Sequence, residues 1–189
     1  AARHTYVMAH AYTPEAIRRA VDCGVRSIEH GNLVDAPTAA LMAERGAWCV
    51  PTLVTYEALA DSGARDGLDA ASLAKIAHVR AAGLHALDLL RSAGVRLAFG
   101  TDLLGAAHPR QSEELLLRAR VQTPLEVLQS ATLLGAELLG QAGDLGEVRT
   151  GARADLLLVD GNPLRDLACL AGQGERIALR MQGGRVVLA

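Results

Sequence analysis

The sequence predicts an α/β fold built from parallel βαβ units, and three observations point to it. One phrase repeats through the first two-thirds of the 189 residues: a short apolar strand, a polar turn, an amphipathic helix, then a glycine. Half of the residues are hydrophobic but only 3% are aromatic, so Leu, Ala and Val must build an interior of helices packed on a sheet. The run Val95–Phe99 is mostly apolar, starts after Gly94 and stops at Gly100, as a buried strand does. Such units pair right-handedly into a doubly wound sheet or a barrel.

Taken in order, "TYVMAHAYT" predicts a strand that ends in polar residues. "TPEAIRRAVDCG" predicts a helix with Thr13 as N-cap, Pro14 at its first position, Glu15 in its first turn and Gly24 as terminator. "VRSIEHGN" is the next strand, "DAPTAALMAERG" the next helix, and "AWCVPTLVT" a third strand. "SLAKIAHVRAAGLHALDLLRSAG" is a long helix before the fourth strand, "VRLAF". After Asp102 comes a polar loop, then helices over "SEELLLRARV" and "TPLEVLQSATLLGAELLG". From Gln141 onward short strands and Gly-rich turns replace the helical spacing, so residues 1–140 and 141–189 read as two parts.

The bulk chemistry narrows the function. A net charge of −2 with no basic cluster argues against nucleic acid and anionic membranes as partners. No apolar run approaches the ~20 residues of a membrane helix. Cys23, Cys49 and Cys169 are odd in number and widely spaced, which reads as buried free thiols in a reducing, cytoplasmic compartment. The N-terminus "AARHTYVMAH" has no signal-peptide pattern and enters an apolar segment almost at once, as if the chain began inside a larger whole; a signal peptide of such a whole would lie upstream.

Three predicted strands end in a residue able to bind metal: His10, His30 and Asp102. In parallel α/β folds the active site lies at the carboxyl ends of the strands, so these residues converge. Taken singly, each has an ordinary role: a hydrogen-bonded histidine for His10 and His30, a helix or turn cap for Asp102. In succession at equivalent strand ends, two imidazoles and a carboxylate suit Zn²⁺ or a similar divalent ion. Glu29 and Gly31 flank His30, and glycine lets backbone approach a site closely. His78 and His85 are seven apart in one helix and read as surface or packing residues. Tyr56 follows "VPTLVT" at a strand's carboxyl end and either donates to substrate or packs. His108, in the loop after Asp102, either touches substrate or is an ordinary polar loop residue. His4 is assigned no role.

The segments "HAYTPEAIRRAVDCGVRSIEHG", "FGTDLLG" and "GEVRTGARADLLLVDGNPL" together resemble the metal-dependent amidohydrolase superfamily, most of all its imidazolonepropionase-like and Xaa-Pro dipeptidase (prolidase-like) branch. The likeness covers essentially the whole chain, with the segments in family order. It implies the second half, strands five to eight, of a distorted (β/α)₈ TIM-like barrel, followed by the C-terminal part of a small β-sandwich. It also implies that His10 and His30 are the metal ligands on strands five and six, and Asp102 the metal-binding catalytic acid on strand eight. A full member carries an H-x-H pair on strand one and a lysine on strand four. Neither is here: the only lysine, Lys75, lies inside a predicted helix, and His4 and His10 are six apart.

The resemblance implies a hydrolase of C–N bonds in small amides: dipeptides such as Xaa-Pro, N-acyl amino acids or cyclic amides. Water activated by two divalent ions, zinc foremost, attacks the carbonyl. Asp102 takes up the water's proton and delivers it to the leaving amine. Tyr56 and His108 are the candidate contacts to the substrate carbonyl or carboxylate. With half the ligands missing, this chain alone is expected to hydrolyse little or nothing. Three other readings compete with it. A deaminase of the same superfamily looks like H-x-x-E after strand five, but Thr13 stands third after His10. A non-catalytic half-barrel module would leave raw sheet edges for a homo-oligomer or a partner chain to cover. A doubly wound nucleotide-binding domain needs a Gly-rich first turn, which "HAYTPEA" lacks.

Overall fold

The computed structural model describes residues 5–188 of the chain, so His4 lies outside the described residues. It forms the four expected strands as one parallel sheet: β1 (Met8–Ala11), β2 (Ser27–His30), β3 (Trp48–Val50) and β4 (Arg96–Leu97), hydrogen-bonded in that order. The sheet is open, with β1 and β4 at its edges. Local chemistry places the connecting helices. Thr13 accepts from the backbone N–H of Ala16 to cap α1 (Pro14–Asp22), and Asp35 accepts from Thr38 N–H to cap α2 (Ala36–Glu44). Each such cap contributes about 1 kcal/mol. Gly24 and Gly46 end these helices at positive φ, 81° and 64°, as the sequence predicts.

Helices α1, α2 and the long α4 (Ala70–Ser92) cover one face of the sheet. Ile17, Val21, Met42, Leu87 and Leu90 pack there against Ile28, Cys49 and Leu97 in a single cluster. Removing one such aliphatic side chain from water contributes roughly 1.5–3 kcal/mol. On the other face, Trp48, Val50 and Ala98 meet Tyr6 together with Leu134 and Leu138 of α7 (Leu133–Leu138). Strands β2 and β3 are therefore buried throughout, as expected of parallel strands covered on both sides. His78 and His85 are exposed on α4, in keeping with a surface role.

Four expectations need correction. The third strand stops at Val50 because Pro51 has no N–H for the ladder, and helix α3 (Leu53–Ser62) begins almost at once. Tyr56 therefore lies in the first turns of a helix rather than just after a strand. The fourth strand is two residues long, extended by a single bond from Ala98 N–H to the Cys49 carbonyl. The helix expected over "TPLEVLQSATLLGAELLG" is two, α6 (Pro124–Ala131) and α7, broken at Thr132. There φ is −124° and ψ −91°, and the Thr132 hydroxyl donates to the Leu128 carbonyl at 2.7 Å, competing with the helix ladder. Finally, Cys23 is exposed, because it is the C-cap of α1 and faces solvent; Cys49 and Cys169 are buried.

Beyond α7 the chain forms an antiparallel sheet, β5 (Leu156–Val159), β6 (Ile177–Gln182) and β7 (Arg185–Leu188). Gly183 and Gly184, both at positive φ, make the two-residue turn between β6 and β7. A 3₁₀ turn at Leu167–Leu170 inserts Leu167 between Val127 of α6 and Leu115 of α5 (Glu113–Arg118). Among the described residues no helix is long and apolar enough to cross a membrane.

Candidate active site

Parallel pairing sets His10 beside Glu29 and Ala11 beside His30, so the two histidines sit diagonally at neighbouring strand ends. His30 takes φ 77° and Gly31 φ 65°, which turns the chain sharply out of the sheet. A side chain at Gly31 would also stand 3.1 Å from the Cys49 sulfur, so both conformation and space call for glycine. The result brings His10 Nδ1 and His30 Nε2 to 2.7 Å. The other nitrogen of His30, Nδ1, is 2.8 Å from the Thr52 hydroxyl, which fixes the ring's orientation and leaves Nε2 for the site. Tyr12 stacks on the His30 ring at 4.8 Å between centroids and 13° between planes. Burial holds the His30 pKa below its ordinary value, with Asp102 partly opposing, so the ring is kept in the neutral form that ligates metal.

Below the pair, Glu29 is buried and accepts from the Ser27 hydroxyl at 2.5 Å. Burial raises its pKa, opposed by the Ser27 bond and the nearby His10. Asp102 ends the turn after β4 at φ 52°. The turn needs Gly100 for closeness rather than for its dihedral: a Cβ there would lie 2.6 Å from Cγ1 of Val50. The Thr55 hydroxyl donates to the Asp102 carbonyl at 3.0 Å and ties this turn to α3. The Asp102 charge is felt by His30, Glu29 and Tyr56 alike. Cys49 is a different case, since burial pushes its thiol up to about 12 and leaves no thiolate at neutral pH to compete as a ligand.

Among the described residues no three His, Cys, Asp or Glu side chains stand close enough to enclose an ion. What the chain offers is a two-imidazole pair with a carboxylate in electrostatic reach. Two nitrogens bound to one tetrahedral zinc at 2.0–2.1 Å stand about 3.3 Å apart, so the pair needs to open by only ~0.6 Å to share an ion. Converging nitrogens, a fixed orientation for His30 and a neutral imidazole fit a divalent cation.

A cleft of about 750 Å³ opens beside this pair, between α3 and the segment after Asp102. Tyr12, Tyr56 and Asp102 line it, and the Tyr56 hydroxyl donates to that of Tyr12 at 2.8 Å. Burial, then this hydrogen bond, raises the Tyr56 pKa far beyond reach, so it stays a neutral donor. His108 is exposed in the 3₁₀ turn Gly105–Arg110 and is not part of the cleft wall. Arg110, two residues on, is in the wall, but Asp61 and Glu113 pair with its guanidinium at 2.8 Å each. Tyr12, Thr52 and Arg110 escaped the sequence reading. For Tyr12 a signal was present: it lies two residues after His10, on the same side of the strand.

Residues 1–187 match the Amidohydrolase family, and the chain belongs to it. Ochratoxinase of Aspergillus niger is 31% identical over 169 residues, 88% of this chain and 35% of that protein. Imidazolonepropionase of Deinococcus radiodurans is 36% identical over 87 residues, 44% of this chain and 22% of that protein. A prolidase crystallised with N-methylphosphonate-L-proline superimposes with a TM-score of 0.96 at 52% identity, over 99% of this chain and 46% of its own. These relatives support the imidazolonepropionase and prolidase branch of the superfamily. The chain spans less than half the length of each of them.

Proposed function

We propose that this chain supplies the second half of the active site of a metal-dependent amidohydrolase that cleaves the C–N bonds of small amides: dipeptides such as Xaa-Pro, N-acyl amino acids or cyclic amides. On this reading β1 to β4 are barrel strands five to eight, residues 1–140 are barrel, and residues 141–189 belong to a small β-sandwich. The observation that carries it is the 2.7 Å approach of His10 Nδ1 and His30 Nε2 at adjacent strand ends, with Tyr12, stacked on His30, lining the same cleft as Asp102. The open edge of the sheet supports it too: Val7 and Met8 at β1 are 57% and 58% exposed, leaving room for strands from elsewhere to pair.

His10 and His30 would hold one divalent ion, and Asp102 would contribute to a second. A bound ion polarises the amide carbonyl and lowers the pKa of water from 15.7 to about 7. Asp102 accepts the proton of the attacking water as the C–O bond forms. It then returns that proton to the nitrogen as the C–N bond breaks, so the products are a carboxylic acid and a free amine. Tyr56 and Tyr12, joined through their hydroxyls, present a neutral donor to a substrate oxygen. Thr52 keeps His30 from rotating away. His108 stays a candidate for a contact at the outer rim. The chain by itself, lacking the remaining ligands, is proposed to be inactive.

The test is hydrolysis of a panel of Xaa-Pro dipeptides, N-acyl amino acids and cyclic amides by a zinc-loaded barrel in which this chain is completed by the strands that carry the remaining ligands. Hydrolysis that Asp102→Asn lowers by about 10²–10⁴-fold, with zinc still bound, is expected. A completed, zinc-loaded barrel that leaves every amide in the panel untouched would overturn the reading.

A further inference from the structure

We propose that Glu114 and Arg118 are positioning residues of this same site: their buried pair sets where Tyr56 and Asp102 stand. The inference rests on the hydrolase reading only for its consequence in catalysis. Both side chains lie on α5, one turn apart, fully buried, and the Arg118 Nε donates to a Glu114 oxygen at 2.9 Å. Their remaining bonds all leave the helix. Glu114 Oε2 accepts from Val54 N–H at 2.7 Å, a group in the first turn of α3 with no partner inside the helix. Arg118 Nη2 donates to the carbonyls of Pro51 and Ala98, each at 2.9 Å, and Nη1 to the Ser130 hydroxyl at 3.3 Å. The guanidinium also lies 4.9 Å from the Phe99 ring centre.

Pro51 directly follows β3, and Ala98 directly follows β4. One guanidinium thus joins the carboxyl ends of two neighbouring strands just where the ladder runs out. Its carboxylate partner holds the start of the helix that carries Tyr56. The bond from Thr55 to the Asp102 carbonyl closes the frame. Stability alone gives no reason for such a pair, because well-packed apolar side chains commonly do as well at a buried site. What apolar side chains cannot do is donate to two loop carbonyls at once. Lysine cannot match it either, since its ammonium lacks the planar fork of arginine.

The experiment uses fluorine NMR on this chain with 3-fluorotyrosine in place of tyrosine. Tyr6→Phe, Tyr12→Phe and Tyr56→Phe assign the three signals. Two variants are compared with the parent: Arg118→Lys, and the apolar pair Glu114→Leu with Arg118→Met. The expected result is a shifted or broadened Tyr56 signal in both while Tyr6, at the far end of the sheet, keeps its position, and, in the barrel completed by the missing strands, a kcat loss of at least tenfold at unchanged zinc content. Folded variants in which Tyr56 keeps its parent signal overturn the proposal. So do variants in which all three signals collapse together, since that marks a stabilising pair and nothing more. If the apolar pair alone unfolds, Arg118→Lys decides. The fluorine readout needs neither metal nor substrate. A moved Tyr56 therefore leaves the positional reading standing even if the completed barrel hydrolyses no amide, an outcome that sinks the hydrolase reading alone.

Discussion

The two halves of the parallel sheet hold their functional side chains by different devices. At the ends of β1 and β2 the side chains are fixed locally: a register that puts His10 diagonal to His30, two consecutive residues at positive φ, and a hydroxyl on the far side of one ring. At the ends of β3 and β4 nothing local suffices. The strands are three and two residues long, and their exits are tied down from α5 by a fully buried ion pair. The first half brings two imidazole nitrogens to within 2.7 Å of each other. The second is built to hold a carboxylate and a phenol against a cleft wall. Damage to one half should therefore read out differently from damage to the other.

Glu114→Leu alone should have the largest effect. It leaves the Arg118 guanidinium buried without its counter-charge, and breaking a buried pair in this way costs about 3–5 kcal/mol. Urea denaturation measures it, and a loss below 1 kcal/mol would mean the pair is not what joins the β3 and β4 ends. Thr52→Val acts on the other half. It keeps the shape but removes the hydroxyl at His30 Nδ1. Zinc affinity should fall about 10–100-fold with little change in stability, the usual cost of losing a residue behind a ligand. Calorimetric titration would expose the idea as wrong if affinity stayed at the parent value. Gly100→Ala tests the seam between the halves, because the new methyl would meet Val50. Overpacking of this kind costs roughly 1–3 kcal/mol, and a thermal midpoint equal to the parent's would contradict the close approach.

The smallest effect is a protonation linkage. His30 in the fold titrates below its ordinary 6.5, so in the window just beneath 6.5 the unfolded chain binds more protons than the folded one. Metal-free stability should thus be intact above that window and fall as the pH drops through it. NMR titration of the His30 ring protons checks this directly, and a midpoint at or above 6.5 counts against a buried neutral ring.

What the sequence made legible follows the same division. Strand ends announce themselves when an apolar run stops at a polar residue, so His10, His30 and Asp102 could be found one at a time and grouped by fold logic. The caps Thr13 and Asp35 were equally plain, because capping depends on neighbours three residues away. The contacts that organise the second half span 60 residues from Glu114 to Val54 and 67 from Arg118 to Pro51, and no local pattern encodes them. The β-branched residues of "PTLVT" imitate a strand running up to Tyr56, yet Pro51 closes the ladder before them. The break at Thr132 was hidden for a related reason: a threonine inside an otherwise good helical stretch shows its effect only through the hydrogen bond its hydroxyl makes.

The central claim is that His10 and His30 form half of a metal site before any other ligand arrives. Isothermal titration of zinc into the protein and into its His10→Ala and His30→Ala forms tests it most directly. Zinc binding by the parent that each alanine weakens by more than about 100-fold, a larger loss than removing the residue behind a ligand, is the predicted result. Equal affinity in all three proteins would contradict it, and the 2.7 Å contact would then be an ordinary hydrogen bond between two histidines.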